Sequence, residues 1–434
     1  MATDGLASSY APARPWLMPW VAEAGFVALL LLVFVGLSPF EVRDATTLVA
    51  GTGAGNIARQ ISYLAVFAVI LASALDRRGL ASATAVPVSL VVLLIWCLLS
   101  ASWAGQPAIA VRRAGLEFVV VLSTMLSIGT VGPERALRLW RYVLAGVLIV
   151  NWISIAVVPQ AVHLAGEADP SLVGDWRGLY FHKNIAGAVT AISAMVFLYY
   201  AVSMRSRIDA ALFVAALGFL VMTGSKSSMG FLPAALLLGA VYRWGWRRDL
   251  DRLIVTLTAG FAIVVVTAFA ATHADQIARL LQNPAEFTGR TAIWQAELDF
   301  VRDHTWLGAG YGTFADTGGN SPLFHYIDAK WIATVSHGHN GYLQLMVTIG
   351  VIGFALAMLA LVVMPLAGFW PRDPDNLPLK ALLFAIFVFV VLHNLLESDY
   401  LESDGPTWVA FLIMIAMMRT MRPRVLARRA GGAS

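Results

Sequence analysis

Charge is what this sequence has least of. Only 13% of its 434 residues are Asp, Glu, Lys or Arg, against about 25% in soluble domains. Hydrophobic residues make up 59%, and the mean hydropathy is +0.74. Those values exclude an ordinary soluble chain and suspend the usual link between length and domain number. The net charge of +4 is modest, and no nucleic-acid partner is expected. There is a single cysteine, Cys97, inside an apolar run. That excludes an intramolecular disulfide and leaves no Cys/His zinc spacing; neither a metal nor a cofactor is expected. The short alternating segments of a membrane β-barrel are missing too. No internal repeat relates the two halves. The first apolar run lacks a small-residue cleavage site, so it reads as a retained helix and not a removed signal peptide.

Long apolar runs are what the chain has instead. A helix needs about 20 such residues to cross the hydrocarbon core. Twelve candidates occur, at about 20–39, 58–75, 84–102, 110–130, 138–159, 183–203, 208–224, 227–243, 251–272, 340–365, 378–396 and 405–420. Orientation follows from Lys and Arg in the connections. With both termini in the cytoplasm, 19 of the 30 basic residues fall inside, in segments such as "LDRRG", "ERALRLWR" and "YRWGWRRDLDR". The expected fold is all-α: one integral membrane domain over 1–434, with about twelve transmembrane helices. A long loop, about 273–339, separates the ninth and tenth. Long connections are uncommon and often functional. Within this one, "TGRTAIWQAELDFVRDH" (288–304) reads as a helix, which "WLGAGYGTF" then breaks with Gly308, Gly310 and Gly312. A partly helical lid over the outer face is expected.

The unusual polar residues collect in segments that this topology places on the outer side. "GDWRGLYFHKN" carries Arg177, His182, Lys183 and Asn184; "TGSKSSMG" carries Lys226; "TGR" carries Arg290; "SHGHN" carries His337, His339 and Asn340; "HNLLESDYLESDG" carries His393, Asn394, Glu397 and Glu402. A basic group beside a membrane span is costly unless it snorkels, so Lys226 reads either as a snorkelling lysine or as part of an anion site. Arg290 alone reads as a surface residue; Arg177 and Lys183 alone read as capping or lipid-facing groups. Four such cations on one side of a membrane cavity suggest a phosphate-bearing substrate. His339 is either interfacial or an acid/base group active near neutral pH. The i, i+2 spacing of His337 and His339 is not a helical metal pair. Glu397 reads equally as a salt-bridged helix end or as an orienting group.

Four stretches in one order resemble bacterial O-antigen ligases and related polysaccharide polymerases. "HNGYLQLMVTIGVIG" (339–353) has a histidine, Asn, nine residues, Gly, two residues and a small residue. "GRTAIWQAELDFVRDHTWLGAGYGTF" resembles the family's Gly-Arg, Ile-Trp and late Gly-x-Gly-Tyr-Gly stretch. "RGLYFHKNIAG" resembles its Gly–aromatic–His-Lys-Asn segment, and "TGSKSS" its Ser-Arg/Lys-Ser/Thr segment.

The resemblance implies a metal-independent, inverting membrane glycosyltransferase. A glycan would leave an undecaprenyl-diphosphate carrier and join a sugar hydroxyl at the periplasmic face of the bacterial inner membrane, extending exopolysaccharide or O-antigen repeat units. The implied roles are His339 as the essential histidine, and Arg290 and Lys226 on the donor diphosphate, with Arg177 and Lys183 as further cations. Asn340, His182, Asn184 and Glu397 would support the site or bind the acceptor. Lys226 stands where many ligases have arginine, which brings the motifs closer to exopolysaccharide polymerases. The implied partners are the lipid-linked donor, a glycan acceptor, the bilayer, and other polysaccharide-export or chain-length proteins. Two alternatives stay open. One is a ligase transferring the glycan to lipid A-core or another acceptor. The other is a twelve-helix transporter or flippase, which would place its polar groups near the midplane.

Overall fold

In lipid, backbone N–H and C=O groups must find partners within the chain, and an apolar run does so by forming a helix. The computed structural model describes residues 17–42, 55–167, 170–257, 290–315, 317, 320–327 and 338–421. Its helices are α1 (Pro19–Phe34), α2 (Ile57–Arg78), α3 (Val88–Leu99), α4 (Pro107–Val131), α5 (Pro133–Val157), α6 (Lys183–Ser203), α7 (Arg207–Met222), α8 (Lys226–Gly245), α9 (Arg290–Asp303), α10 (Gly341–Phe369), α11 (Leu377–His393) and α12 (Pro406–Thr420). The described residues contain no strand; Val162 and Trp176 form an isolated bridge.

All twelve apolar runs overlap described helical residues, the ninth only over 251–257, and α9 falls within 288–304 as its pattern predicts. The run at 251–272 lies mostly outside the described residues. So do His337, the chain ends and much of the 273–339 loop. Six described helices are long and apolar enough to cross a membrane: α2, α4, α5, α6, α10, and the span ending with α11. The apolar helices α1, α12 and Val88–Ser102 are shorter. At 1.5 Å per residue, the 16 residues of α1 cover roughly 24 Å, less than the ~30 Å of hydrocarbon.

The core sits around α12, which is buried continuously from Thr407 to Met417. A helix apolar on all sides suits either a protein core or a lipid-facing span; the burial of α12 places it in the core. α12 packs on α4 and α11, α11 on α8, and α6 on α7.

α10 is broken at Gly350, where φ is 67° and ψ is 179°, a combination essentially confined to glycine. The break frees carbonyls that the turn after α9 then uses. Ala309 N donates to Val347 O (2.8 Å), and Gly310 N to Thr348 O (2.9 Å). Val351 N in turn donates to Thr305 O (2.9 Å), and Trp96 Nε1 to Ile349 O (3.0 Å). A side chain on Gly350 would collide with the Trp306 carbonyl, and one on Gly353 with the Trp96 indole nitrogen. Tyr311 goes deeper: its hydroxyl donates to Leu401 O (2.6 Å) and reaches Glu117 Oε2 (3.2 Å). The 305–312 stretch is therefore wedged into the bundle.

Candidate active site

The first turns of α6, α8 and α10, together with Arg290 of α9, meet the end of α11. Each helix start carries partial positive charge from its unpaired amides, so three of them at one place favour negative charge. Side-chain caps fix two of these starts. His182 caps α6, its Nδ1 accepting from Asn184 N (3.1 Å). Asn340 caps α10, its Oδ1 accepting from Tyr342 N and Leu343 N (3.1 Å each). Gly341 N donates to the carbonyls of both Asn394 (2.8 Å) and Glu397 (2.9 Å), which pins the start of α10 to the turn after α11.

That turn presents Glu397, which is 7% exposed. Asn184 Nδ2 donates to its Oε1 (2.7 Å), as does Arg290 Nη2 (3.1 Å). His339 Nδ1 meets its Oε2 (3.1 Å). Arg290 Nη1 also donates to Leu396 O (2.7 Å). Burial resists the charge on Glu397, but the His339 hydrogen bond and the attraction of His339, Arg290 and His393 outweigh it. The carboxyl is held well below the usual range and stays ionised at neutral pH. An ionised carboxylate only accepts, so the Nδ1 N–H of His339 is the donor in this pair. His339 itself has a positive φ of 53°, uncommon for a residue with a side chain. Burial pushes the His182 ring down to about 4 against the pull of Glu397. It is neutral, as its capping role requires.

The sequence-derived residues separate into groups. Arg290, His339, Asn184 and Glu397 come together directly, and Asn340 and His182 hold the helix starts beside them. Lys226 lies in the first turn of α8, exposed, with no ion pair among the described residues. Arg177 and Lys183 are engaged elsewhere. The guanidinium of Arg177 is fully buried and donates to Glu167 Oε2 (3.1 Å), Gln160 O (2.7 Å) and Phe181 O (3.2 Å). Lys183 Nζ pairs with Asp175 (2.5 Å). The carboxylates were the missing information: nothing in the spacing of Glu167 or Asp175 announces that each neutralises a nearby cation.

Residues 211–358 match the family model described as O-antigen ligase. Through this stretch, about a third of its length, the chain is similar to the O-antigen ligase family. A search of curated proteins finds no match to the chain.

The O-antigen ligase match runs from α7 to the middle of α10 and contains Lys226, Arg290, His339 and Asn340. Asn184, Glu397 and His393 lie outside it. Sequence reasoning also missed two features beside the site. Glu297, two turns along α9 from Arg290, is fully buried, and neither carboxylate oxygen has a hydrogen-bond partner among the described residues. It packs against Gly338, where a side chain would strike its carboxylate, and Trp294 Nε1 donates to Gly338 O (2.7 Å). No spacing in the sequence signals it. The second feature is a hydrogen-bonded chain through Ser228, His393 and Asp399.

Proposed function

We propose that the protein is a membrane glycosyltransferase. It transfers a glycan from an undecaprenyl-diphosphate-linked donor to a sugar hydroxyl at the periplasmic face of the inner membrane, joining exopolysaccharide or O-antigen repeat units. The observation that carries this reading is the shared carboxylate of Glu397, which ties a histidine to an arginine where three helix starts converge.

In the proposed reaction the acceptor hydroxyl attacks the anomeric carbon. The new C–O bond forms as the bond to the diphosphate breaks. The acceptor proton passes to Nε2 of His339, whose other nitrogen is held by Glu397, a help worth roughly 10²–10⁴-fold. The leaving diphosphate takes the electron pair and is already anionic, so the main requirement is stabilisation of negative charge. Arg290 uses only part of its five-donor fork on Leu396 and Glu397, which leaves donors for a phosphate. Lys226 adds a point charge, and the helix starts add their dipoles. Arg177 and Lys183, each paired with a carboxylate, belong to the frame behind Asn184 and not to the diphosphate contact.

The test is polymer made in cells by the His339→Ala and Arg290→Ala proteins. Both are expected in the membrane with polymer abolished; wild-type amount and length in both would overturn the site. Deleting the protein separates the variants of the reading. A lipid-linked single repeat unit should accumulate for a polymerase, and a full-length lipid-linked polymer for a ligase onto lipid A-core or another acceptor. An unchanged glycan profile would favour transport.

A further inference from the structure

Beneath the His339–Glu397 pair lies a second polar chain that the proposed reaction does not use. His393, the last residue of α11, is 1% exposed, and both of its ring nitrogens are engaged. Nδ1 meets Asp399 Oδ2 at 2.7 Å, and Nε2 meets Ser228 Oγ at 3.2 Å. Ser228 is fully buried, and Ser225 Oγ donates to its Oγ (3.1 Å).

Taking such a chain out of water is costly, and apolar packing of equal volume is often as stable. What polar contacts provide is direction. The His393–Asp399 contact closes the turn that presents Glu397. Leu396 N and Glu397 N both donate to His393 O (3.0 and 2.9 Å), and Asn394 Oδ1 accepts from Asp399 N and Tyr400 N (3.0 Å each). Ser228 then ties this turn to the first turn of α8, two residues from Lys226. α6 closes the third side. A Cβ on Gly187 would lie 2.5 Å from Ser225 Cβ and 3.1 Å from Ser228 Oγ, and Asn184, one turn earlier, donates to Glu397. The chain thus links the element that carries Lys226 to the element that carries Glu397.

We propose that His393 is a positioning residue, and that the Asp399–His393–Ser228 chain fixes the α8 start against the Glu397 turn, so that the anion-binding and proton-accepting groups face one substrate. This inference rests on the glycan-transfer reading. Chemistry of this kind tolerates little misplacement: about 1 Å is worth up to roughly 10²-fold in rate.

The experiment uses the full chain in proteoliposomes. The probe is the lipid-linked saccharide fraction extracted from cells that lack the protein, and turnover and donor KM are measured. The proteins compared are wild type, Ser228→Ala, Asp399→Asn, Glu397→Gln and the double variant Ser228→Ala/Glu397→Gln, with thermal unfolding recorded for each. Ser228→Ala removes one oxygen atom and should stay folded. Its turnover should fall about tenfold to 10²-fold, with donor KM changed less than about threefold. In the Glu397→Gln background the same change should cost little more, because both act through one geometry. Equal losses in both backgrounds, or wild-type turnover in Ser228→Ala and Asp399→Asn beside an impaired Glu397→Gln protein, would overturn the inference alone. Wild-type turnover in Glu397→Gln would overturn the transfer site and the inference together.

Discussion

Glu297 is fully buried, and burial alone pushes its carboxyl up from 4.5 to about 8. At neutral pH it is protonated and packs against Gly338 as a neutral group. Because its folded pKa lies above its unfolded value, the folded state binds the extra proton between pH 4.5 and 8. Stability therefore falls as pH rises across that window, by roughly 1.4 kcal/mol per unit for this group, and levels off above it. A Glu297→Gln protein keeps the shape without the ionisation. It should unfold at higher temperature than wild type at about pH 7–8 and match it near pH 4.5; parallel melting profiles across about pH 5–9 would contradict this. Little of this was legible beforehand. His339 stood out because imidazoles are rare beside apolar runs, and Arg290, which alone reads as a surface residue, stood out through the motif it shares with the ligase family. A glutamate inside "WQAELDF" looks like the polar face of a surface helix, and only the packing of Gly338 on it reveals otherwise. Arg177 shows the converse. It was grouped with Arg290 as one of four outer-side cations, yet its partner Glu167 is supplied by a loop that no spacing connects to it.

At the scale of elements, the apolar runs foretold where helices form, because their length and composition leave the backbone no other partner. The Gly–x–x–Gly of 350–353 was legible as a pattern and silent as a shape. In the structure, Gly350 lets the carbonyl of Trp306 approach a break in α10, and Gly353 makes room for Trp96. Adding a methyl group separates these glycines from ordinary ones. Gly350→Ala combines a backbone penalty of roughly 1–3 kcal/mol with a collision against Trp306 O. It should sharply lower both the melting temperature and the yield of folded protein. Gly146, inside α5, is the control, because a methyl group added there meets nothing within 4 Å. Gly146→Ala should be neutral or stabilising by up to about 1 kcal/mol, since alanine is the better helix former. Equal melting temperatures for the two variants would mean that the break in α10 is not a constraint.

For the whole molecule, the asymmetry of Lys and Arg is the sequence's only statement about sides, and it concerns loops and not packing. The fold adds an independent constraint. α8 is not among the six spans that meet both length and apolarity, but it runs 20 residues from Lys226 to Gly245, roughly 30 Å; read as membrane-crossing, it sets the Lys226 end and the arginines after Gly245 a membrane thickness apart. If the site faces the periplasm, α9 must share its side and Arg248 must lie on the other. The chain's one cysteine, Cys97, is buried, which gives a quiet background for labelling. Arg302 on α9 is exposed, its side chain retaining 72% of its accessible surface, and Arg248 is exposed as well. An Arg302→Cys protein should react with a membrane-impermeant maleimide in intact spheroplasts. An Arg248→Cys protein should react only after the membrane is opened. Reversed labelling would place the Glu397–His339 site in the cytoplasm and remove the periplasmic transfer with it. Labelling of both from one side would instead break the reading of α8 as a membrane-crossing helix.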